Sequence, residues 1–155
     1  MTSGSERIQD FLAQKRIAVA GVSRTEKDSP ANLIYRKLRD HGYEAVALNP
    51  KAERAEGDAC WPCLRALPVA PDGVVACTPP EATEALVEEC IEVGVPRIWM
   101  HRSIDAGSLS RAAVERAESA GMTVIAGGCP MMHVEPDIGH RCMHWALRLV
   151  GRIPA

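Results

Sequence analysis

The chain has 155 residues, with 18 basic and 20 acidic side chains and a net charge of −2. That is the size of one ordinary domain, long enough to bury a core without disulfide or metal staples. No long basic run or set of aromatic platforms marks a nucleic-acid surface, and no apolar stretch reaches the roughly 18 residues of a membrane span. The first residues, MTSGSERIQDFLAQKR, lack the apolar core of a signal peptide. A cytoplasmic location follows as the expectation, with the six cysteines mostly reduced.

Residues 1–14 read as a lead segment that frays or forms a short helix. Arg16 to Val22, RIAVAGV, is a short apolar run with little alternation, the pattern of a strand buried on both faces. After a polar loop, Ala31, Ile34, Tyr35 and Leu38 recur at helical spacing, and Gly42 stops the helix. Tyr43 to Pro50 is a second strand. Lys51 to Ala59, KAERAEGDA, reads as a mobile loop. Gly73 to Pro80 is a third strand, with Pro79 and Pro80 suited to its exit and to a helix's first turn. The next helix carries Ala82, Leu86, Cys90 and Val93 on one stripe. Arg97 to His101 is a fourth strand, and Leu109, Ala113, Ala117 and Ala120 mark another helix ended by Gly121. Thr123 to Gly128 is a fifth strand. A last helix is expected from about Asp137 to Val150, with Ile138, Cys142, Trp145 and Leu149 inward. Strands alternating with helices predict one three-layer α/β domain over residues 1–155, with a parallel sheet of about five strands and right-handed crossovers.

In such sheets, ligands bind beyond the carboxyl ends of the strands, where the strand order reverses. The rule selects Gly21 to Arg24, Asn49 to Lys51, Cys77 to Pro80, His101 with Arg102, and Gly127 to Pro130. A Gly-containing turn before a helix offers backbone N–H groups and a helix dipole to an anion. Ser23 adds a hydroxyl and Arg24 a fixed positive fork. The dinucleotide fingerprint G-x-G-x-x-G is absent, since Gly21 is followed by Val22 and Ser23. At the end of the second strand, Asn49, Pro50 and Lys51 replace the acid that would accept from a ribose hydroxyl. A lysine there pairs instead with a ribose phosphate, which NADP carries at the 2′ position and coenzyme A at the 3′ position.

The segments IAVAGVSR, GYEAVALNPK, CWPCLRALP, VVACTPPEAT, RIWMH and GCPMM follow one another in the order and spacing of the small stand-alone CoA-binding proteins. That family is similar to the CoA-binding domain of the succinyl-CoA synthetase α subunit, and the resemblance runs from about Arg16 to Met132. It implies a Rossmann-like fold that holds coenzyme A through its phosphates, with no reaction of its own established. By this resemblance Gly21, Val22, Ser23 and Arg24 cradle the diphosphate, and Asn49, Pro50 and Lys51 meet the adenosine end. Thr78 and Pro79 line the middle, and His101 faces the pantetheine arm. The tail from His133 to Ala155 is longer than the usual form and ends in an extra helix, expected to cap the pocket or to contact a second copy or another protein.

The stretch GDACWPC contains a C-x-x-C, Cys60 and Cys63, a spacing used by redox dithiols and by zinc sites. In the resembling family a serine usually stands where Cys63 does, at a helix N-cap. A redox C-x-x-C opens a helix directly after a buried strand, whereas this one follows a charged loop. Packing is therefore the preferred role. Cys129, His133, His140, Cys142 and His144 form a second cluster, in which His140 and His144 share a helical face but Cys142 lies on the far side, so no metal is assigned. Cys129 stands at a strand exit, where a mixed disulfide with a coenzyme thiol is conceivable and a buried turn residue is preferred. No catalytic carboxylate pair, nucleophile elbow or Walker lysine is present. The first reading is a non-catalytic binding or sensing module for coenzyme A or an acyl-CoA. The competitors are a small NADP-linked oxidoreductase, a thiol redox protein using Cys60 and Cys63, and an interaction protein with a vestigial pocket.

Overall fold

The computed structural model describes residues 2–102, 107–134 and 151. The expected last helix, with His140, Cys142, His144, Trp145 and Leu149, lies outside the described residues.

The strands are β1 (Arg16–Ala20), β2 (Glu44–Leu48), β3 (Arg54–Ala55), β4 (Asp58–Trp61), β5 (Gly73–Ala76), β6 (Arg97–Met100) and β7 (Thr123–Ala126). They form one sheet in the order β3-β4-β2-β1-β5-β6-β7, parallel throughout except for β3 against β4. Among the described residues four α-helices flank it: α1 (Gly4–Leu12), α2 (Pro30–Asp40), α3 (Pro80–Val93) and α4 (Arg111–Ser119). The three-layer α/β arrangement expected from the alternation is present, Rossmann-like as the resemblance implies, with seven strands rather than about five.

The period-2 geometry of a strand divides each apolar run between two cores. Ile17, Val19, Ala47, Val75, Trp99 and Ile125 face α1 and α2. Ala18, Ala20, Val46, Leu48, Val74, Ala76, Ile98 and Met100 face α3 and α4. This is why β1, β5 and β6 read as unbroken apolar runs. The lead segment forms a helix because Ser3 and Glu6 close a capping box: Ser3 Oγ accepts from the Glu6 N–H at 3.2 Å, and the Ser3 N–H donates to Glu6 Oε2 at 2.6 Å. In α2, Ala31, Ile34, Tyr35 and Leu38 are buried as the spacing predicts. In α3 the inward stripe is Thr83, Leu86, Val87 and Cys90, so Ala82, expected inward, is instead exposed. In α4, Ala113 and Ala117 are inward, while Ala120 is the exposed C-cap.

The largest departure concerns residues 51–59. Expected as a mobile loop, most of this segment is the β3–β4 hairpin, and β4 extends the sheet through Ala47↔Cys60 and Leu48↔Trp61. Its charged residues are consumed by α2. Asp58 accepts from Tyr35 Oη at 2.8 Å and from Arg39 at 2.9 Å. Glu56 pairs with Arg36 at 3.0 Å. Both carboxyls are held below their usual range, Asp58 first by its hydrogen bond from Arg39 and Glu56 first by that from Asn32.

Candidate functional site

Strand order reverses between β1 and β5: the chain leaves β1 toward β2 on one side and returns to β5 on the other. The crevice of a doubly wound sheet lies at that reversal. Gly21 ends β1 there with φ +98°, and a Cβ on it would stand 2.3 Å from the Cys77 carbonyl oxygen. Only glycine lets the two strand exits come this close.

Two cavities open at this point, one over each face of the sheet. The first, of about 330 Å³, is lined by residues that include Ser23, Ser29, Cys77, Pro79, His101 and Ser108. The second, of about 530 Å³, is bounded by Leu48, Asn49, Pro50, Pro62, Cys63 and the α3 side chains Ala82, Ala85, Leu86 and Glu89, with Ala20. Gly21 and Thr78 line both. The two adjoin at these shared residues at the reversal, each within the size of ordinary small-molecule sites.

Of the residues expected from the sequence, Gly21, Ser23, Thr78, Pro79, His101, Asn49 and Pro50 line these cavities. Arg24 and Lys51 line neither cavity. Each is exposed and follows a lining residue directly, and neither forms an ion pair among the described residues. Val22 is fully buried in the core, so its side chain is closed to a ligand; its carbonyl accepts from Asn49 Nδ2 at 2.8 Å, tying the two loops together.

The donors of the Gly21–Arg24 turn are engaged more than the sequence indicates. The Gly21 N–H bonds to Leu48 O, and the Ser23 N–H donates to Asn32 Oδ1 at 2.7 Å. Ser23 Oγ accepts from the N–H groups of Thr25 and Glu26 at 3.1 and 2.9 Å. The following helix, α2, is capped by Ser29. By contrast, α3 begins Pro79-Pro80 with no side-chain cap. Because Pro79 and Pro80 carry no N–H and the Thr83 N–H bonds to Pro79 O, the first-turn donors are those of Glu81 and Ala82, at the positive end of the helix dipole and beside the Thr78 that borders both cavities. Thr78 is fixed there, its N–H donating to Ser108 Oγ at 2.8 Å and its hydroxyl 2.9 Å from that of the buried Thr83. His101 is buried, its N–H on Ala76 O and its carbonyl accepting from Ser108.

Sequence reasoning missed Asn32, Ser29, Ser108 and the wall made by Pro62, Cys63, Ala82 and Ala85. The one available signal was the pair of small residues at i, i+3 at the start of α3, which leaves room beside the strand ends.

The C-x-x-C does not form a dithiol unit here. Cys60 lies in β4 and packs in the core under α2; Cys63 lines the cavity on the α3 side. Burial raises the Cys60 pKa, which lowers its thiolate fraction and its nucleophilicity. Cys63 precedes the 3₁₀ turn Leu64–Ala66 without capping it. The Glu89 carboxylate accepts from the Leu64 N–H at 2.9 Å instead. Mild oxidation of the folded protein should therefore leave the Cys60–Cys63 peptide in its dithiol mass, and a thiol reagent should label Cys63 before Cys60. Loss of a hydrogen pair from that peptide would contradict this geometry. Burial likewise pushes Cys129 up to about 11, against ready exchange with a coenzyme thiol. Among the described residues, no three His, Cys, Asp or Glu side chains are grouped to hold a metal, and no helix is long and apolar enough to cross a membrane.

A family profile described as CoA binding domain matches residues 15–135. The chain belongs to that family. It is 28% identical over 123 residues to the uncharacterized protein YneT of Bacillus subtilis, covering 79% of this chain and 87% of that one. It is 29% identical over 121 residues to acetate–CoA ligase [ADP-forming] I of Archaeoglobus fulgidus, covering 74% of this chain but only 18% of the ligase. Among solved structures, a hypothetical protein from Pyrococcus horikoshii OT3 superposes with a TM-score of 0.76 at 25% identity, over 86% of this chain and 92% of that one. The dinucleotide-forming acetyl-coenzyme A synthetase 1 of Ca. Korarchaeum cryptofilum gives a TM-score of 0.60 at 27% identity, over 70% of this chain and 25% of the synthetase. The chain thus corresponds to a small part of each ligase and to nearly the whole of the small proteins.

Proposed function

We propose that this protein binds coenzyme A, free or acylated, in a groove that the two cavities make across the sheet end at Gly21 and Thr78, and acts as a binding or sensing module rather than as an enzyme by itself. The observation that carries the reading is the pair of cavities meeting at the strand-order reversal, in a chain of the CoA-binding domain family. Coenzyme A demands a donor-rich, positive place for its diphosphate, a cation for its 3′-phosphate and a long channel for its pantetheine arm.

The residues present fit those demands. The uncapped first turn of α3, whose N–H donors begin at Glu81 because Pro79 and Pro80 carry none, and the exposed Arg24 offer donors and positive charge to a diphosphate lying across Gly21, with the Val22 and Ser23 backbone beneath it. The exposed Lys51, beside Asn49 and Pro50, is available to the 3′-phosphate. The apolar walls of Leu48, Pro50, Pro62, Ala82 and Leu86 suit the adenine ring. The narrower cavity toward His101 and Ser108 suits the polar amides of pantetheine.

Calorimetric titration of the reduced protein with coenzyme A, 3′-dephospho-coenzyme A, NADP and NAD tests this. Coenzyme A should bind tightest, and the dephospho form more weakly. Preference for NADP would move the assignment to a nicotinamide-linked oxidoreductase, and silence from all four would remove the nucleotide reading. Lys51→Ala should cost about 1.5 kcal/mol of coenzyme A affinity, the lower part of the range for a charge-assisted contact because the side chain is exposed. The same substitution should leave dephospho-coenzyme A binding unchanged. Equal losses for the two ligands would place the 3′-phosphate elsewhere.

A further inference from the structure

Asn32, in the first turn of α2, is fully buried, and every hydrogen-bonding position of its side chain is used. Its Oδ1 accepts from the Ser23 N–H and from Ser29 Oγ, each at 2.7 Å. Its Nδ2 donates to Ser23 O at 2.8 Å and to Glu56 Oε1 at 2.7 Å. The first three bonds fix the turn and the helix cap that line the 330 Å³ cavity. The fourth reaches the β3–β4 hairpin at Glu56, whose φ of +52° is the one positive value at a non-glycine residue among the described residues. A non-glycine residue rests in that region only when its surroundings hold it there. Here they do: besides Asn32, Arg36 binds the Glu56 carboxylate at 3.0 Å and Arg39 binds its carbonyl at 2.9 Å. From Glu56 the chain runs through β4 to Pro62 and Cys63, which line the 530 Å³ cavity.

We propose that Asn32 is a positioning residue that joins the two halves of the groove. It sets the Ser23 turn on one side and, through Glu56, the strand that carries the Pro62–Cys63 wall on the other. A ligand spanning both cavities then meets two walls already held in register, and its affinity includes that preorganisation. The proposal rests on the coenzyme A reading for its ligand and on the hydrogen bonds alone for the joining.

Asn32→Asp keeps size and acceptors but removes both donors and sets a carboxylate against Glu56. At a temperature where circular dichroism shows the variant folded, its coenzyme A affinity should fall about tenfold or more. Adding Glu56→Gln restores a donor facing Asp and should recover part of that loss, the bond to Ser23 O staying broken, a rescue that general destabilisation does not give. Hydrogen exchange on the ligand-free proteins tests the joining independently of any ligand. Asn32→Asp should raise exchange both in residues 22–26 and in residues 54–61. Glu56→Gly removes the Asn32 bond and the Arg36 ion pair to the hairpin together while leaving the Ser23 and Ser29 bonds of Asn32 in place and relieving the positive φ; it should raise exchange in both segments too, and by more than Arg36→Ala, which leaves the Asn32 bond intact. Faster exchange confined to one segment, or unchanged affinity in folded Asn32→Asp, overturns the proposal. If the wild-type protein fails to bind coenzyme A, the coenzyme reading falls, and the exchange result still decides the joining.

Discussion

Alanine in place of Gly21 should cost about 2–5 kcal/mol of stability, combining the penalty for a Cβ at positive φ with that of forcing atoms into a packed site. The added carbon would stand 2.3 Å from the Cys77 carbonyl oxygen and 3.0 Å from its carbon, against backbone that no rotamer change can move. The strain must be relieved by parting the exits of β1 and β5. Because Gly21 borders both cavities, parting them deforms the groove at its crossing point. Against a typical domain stability of about 5–15 kcal/mol, the variant should be marginal. Urea denaturation should show a lower midpoint at unchanged slope, with ligand binding lost even in the folded fraction. A variant within about 1 kcal/mol of the parent would mean that the two strand ends separate easily, and the crevice argument would lose its anchor.

Trp99→Ala should be as damaging for a different reason. The indole is fully buried in β6. It meets Phe11 edge-on at 5.5 Å and the His133 ring at 5.8 Å, and its Nε1–H donates to Gly127 O at 3.0 Å. Removing it opens a large void in the core beneath α1, for which about 3–5 kcal/mol is the usual cost. Trp99→Phe refills most of that volume but leaves the Gly127 carbonyl without its donor, which should cost about 1–3 kcal/mol. Thermal melts of the two variants separate packing from hydrogen bonding. Equal losses would show that the N–H, not the ring volume, is what matters at this position.

The layers of the fold were legible because β1, β5 and β6 are buried on both faces and their sequences are correspondingly apolar. The reversal point was legible for the same reason: once the strands are placed, Gly21 and Thr78 fall at their exits. The β3–β4 hairpin was not. Asp58 and Glu56 look like solvated loop residues until Tyr35, Arg36 and Arg39 are brought beside them, and local pattern does not encode partners about twenty residues away. Ala82 was misplaced because an alanine at the helix start fits either a core stripe or a cavity wall. The Ser23 turn reads as a set of free donors, and only the tertiary structure reveals that the Gly21 N–H is engaged by Leu48 and the Ser23 N–H by the buried Asn32. Ser108 escaped because it acts through the Thr78 N–H from a distant loop.

The first helix bears on how the chain reaches this state. Phe11 seats α1 against Trp99, and Arg7 donates to the Val124 carbonyl, 117 residues further on. As the polypeptide leaves the ribosome, α1 emerges well before β7, which completes its docking surface. Its apolar side therefore waits for β6 and β7 to complete its seat, and a product that stops short of Thr123 leaves that side only partly covered. Non-local closure of this kind slows folding and exposes nascent chains to association, so the N-terminal segment is where a premature stop or a lagging translation step would first be felt.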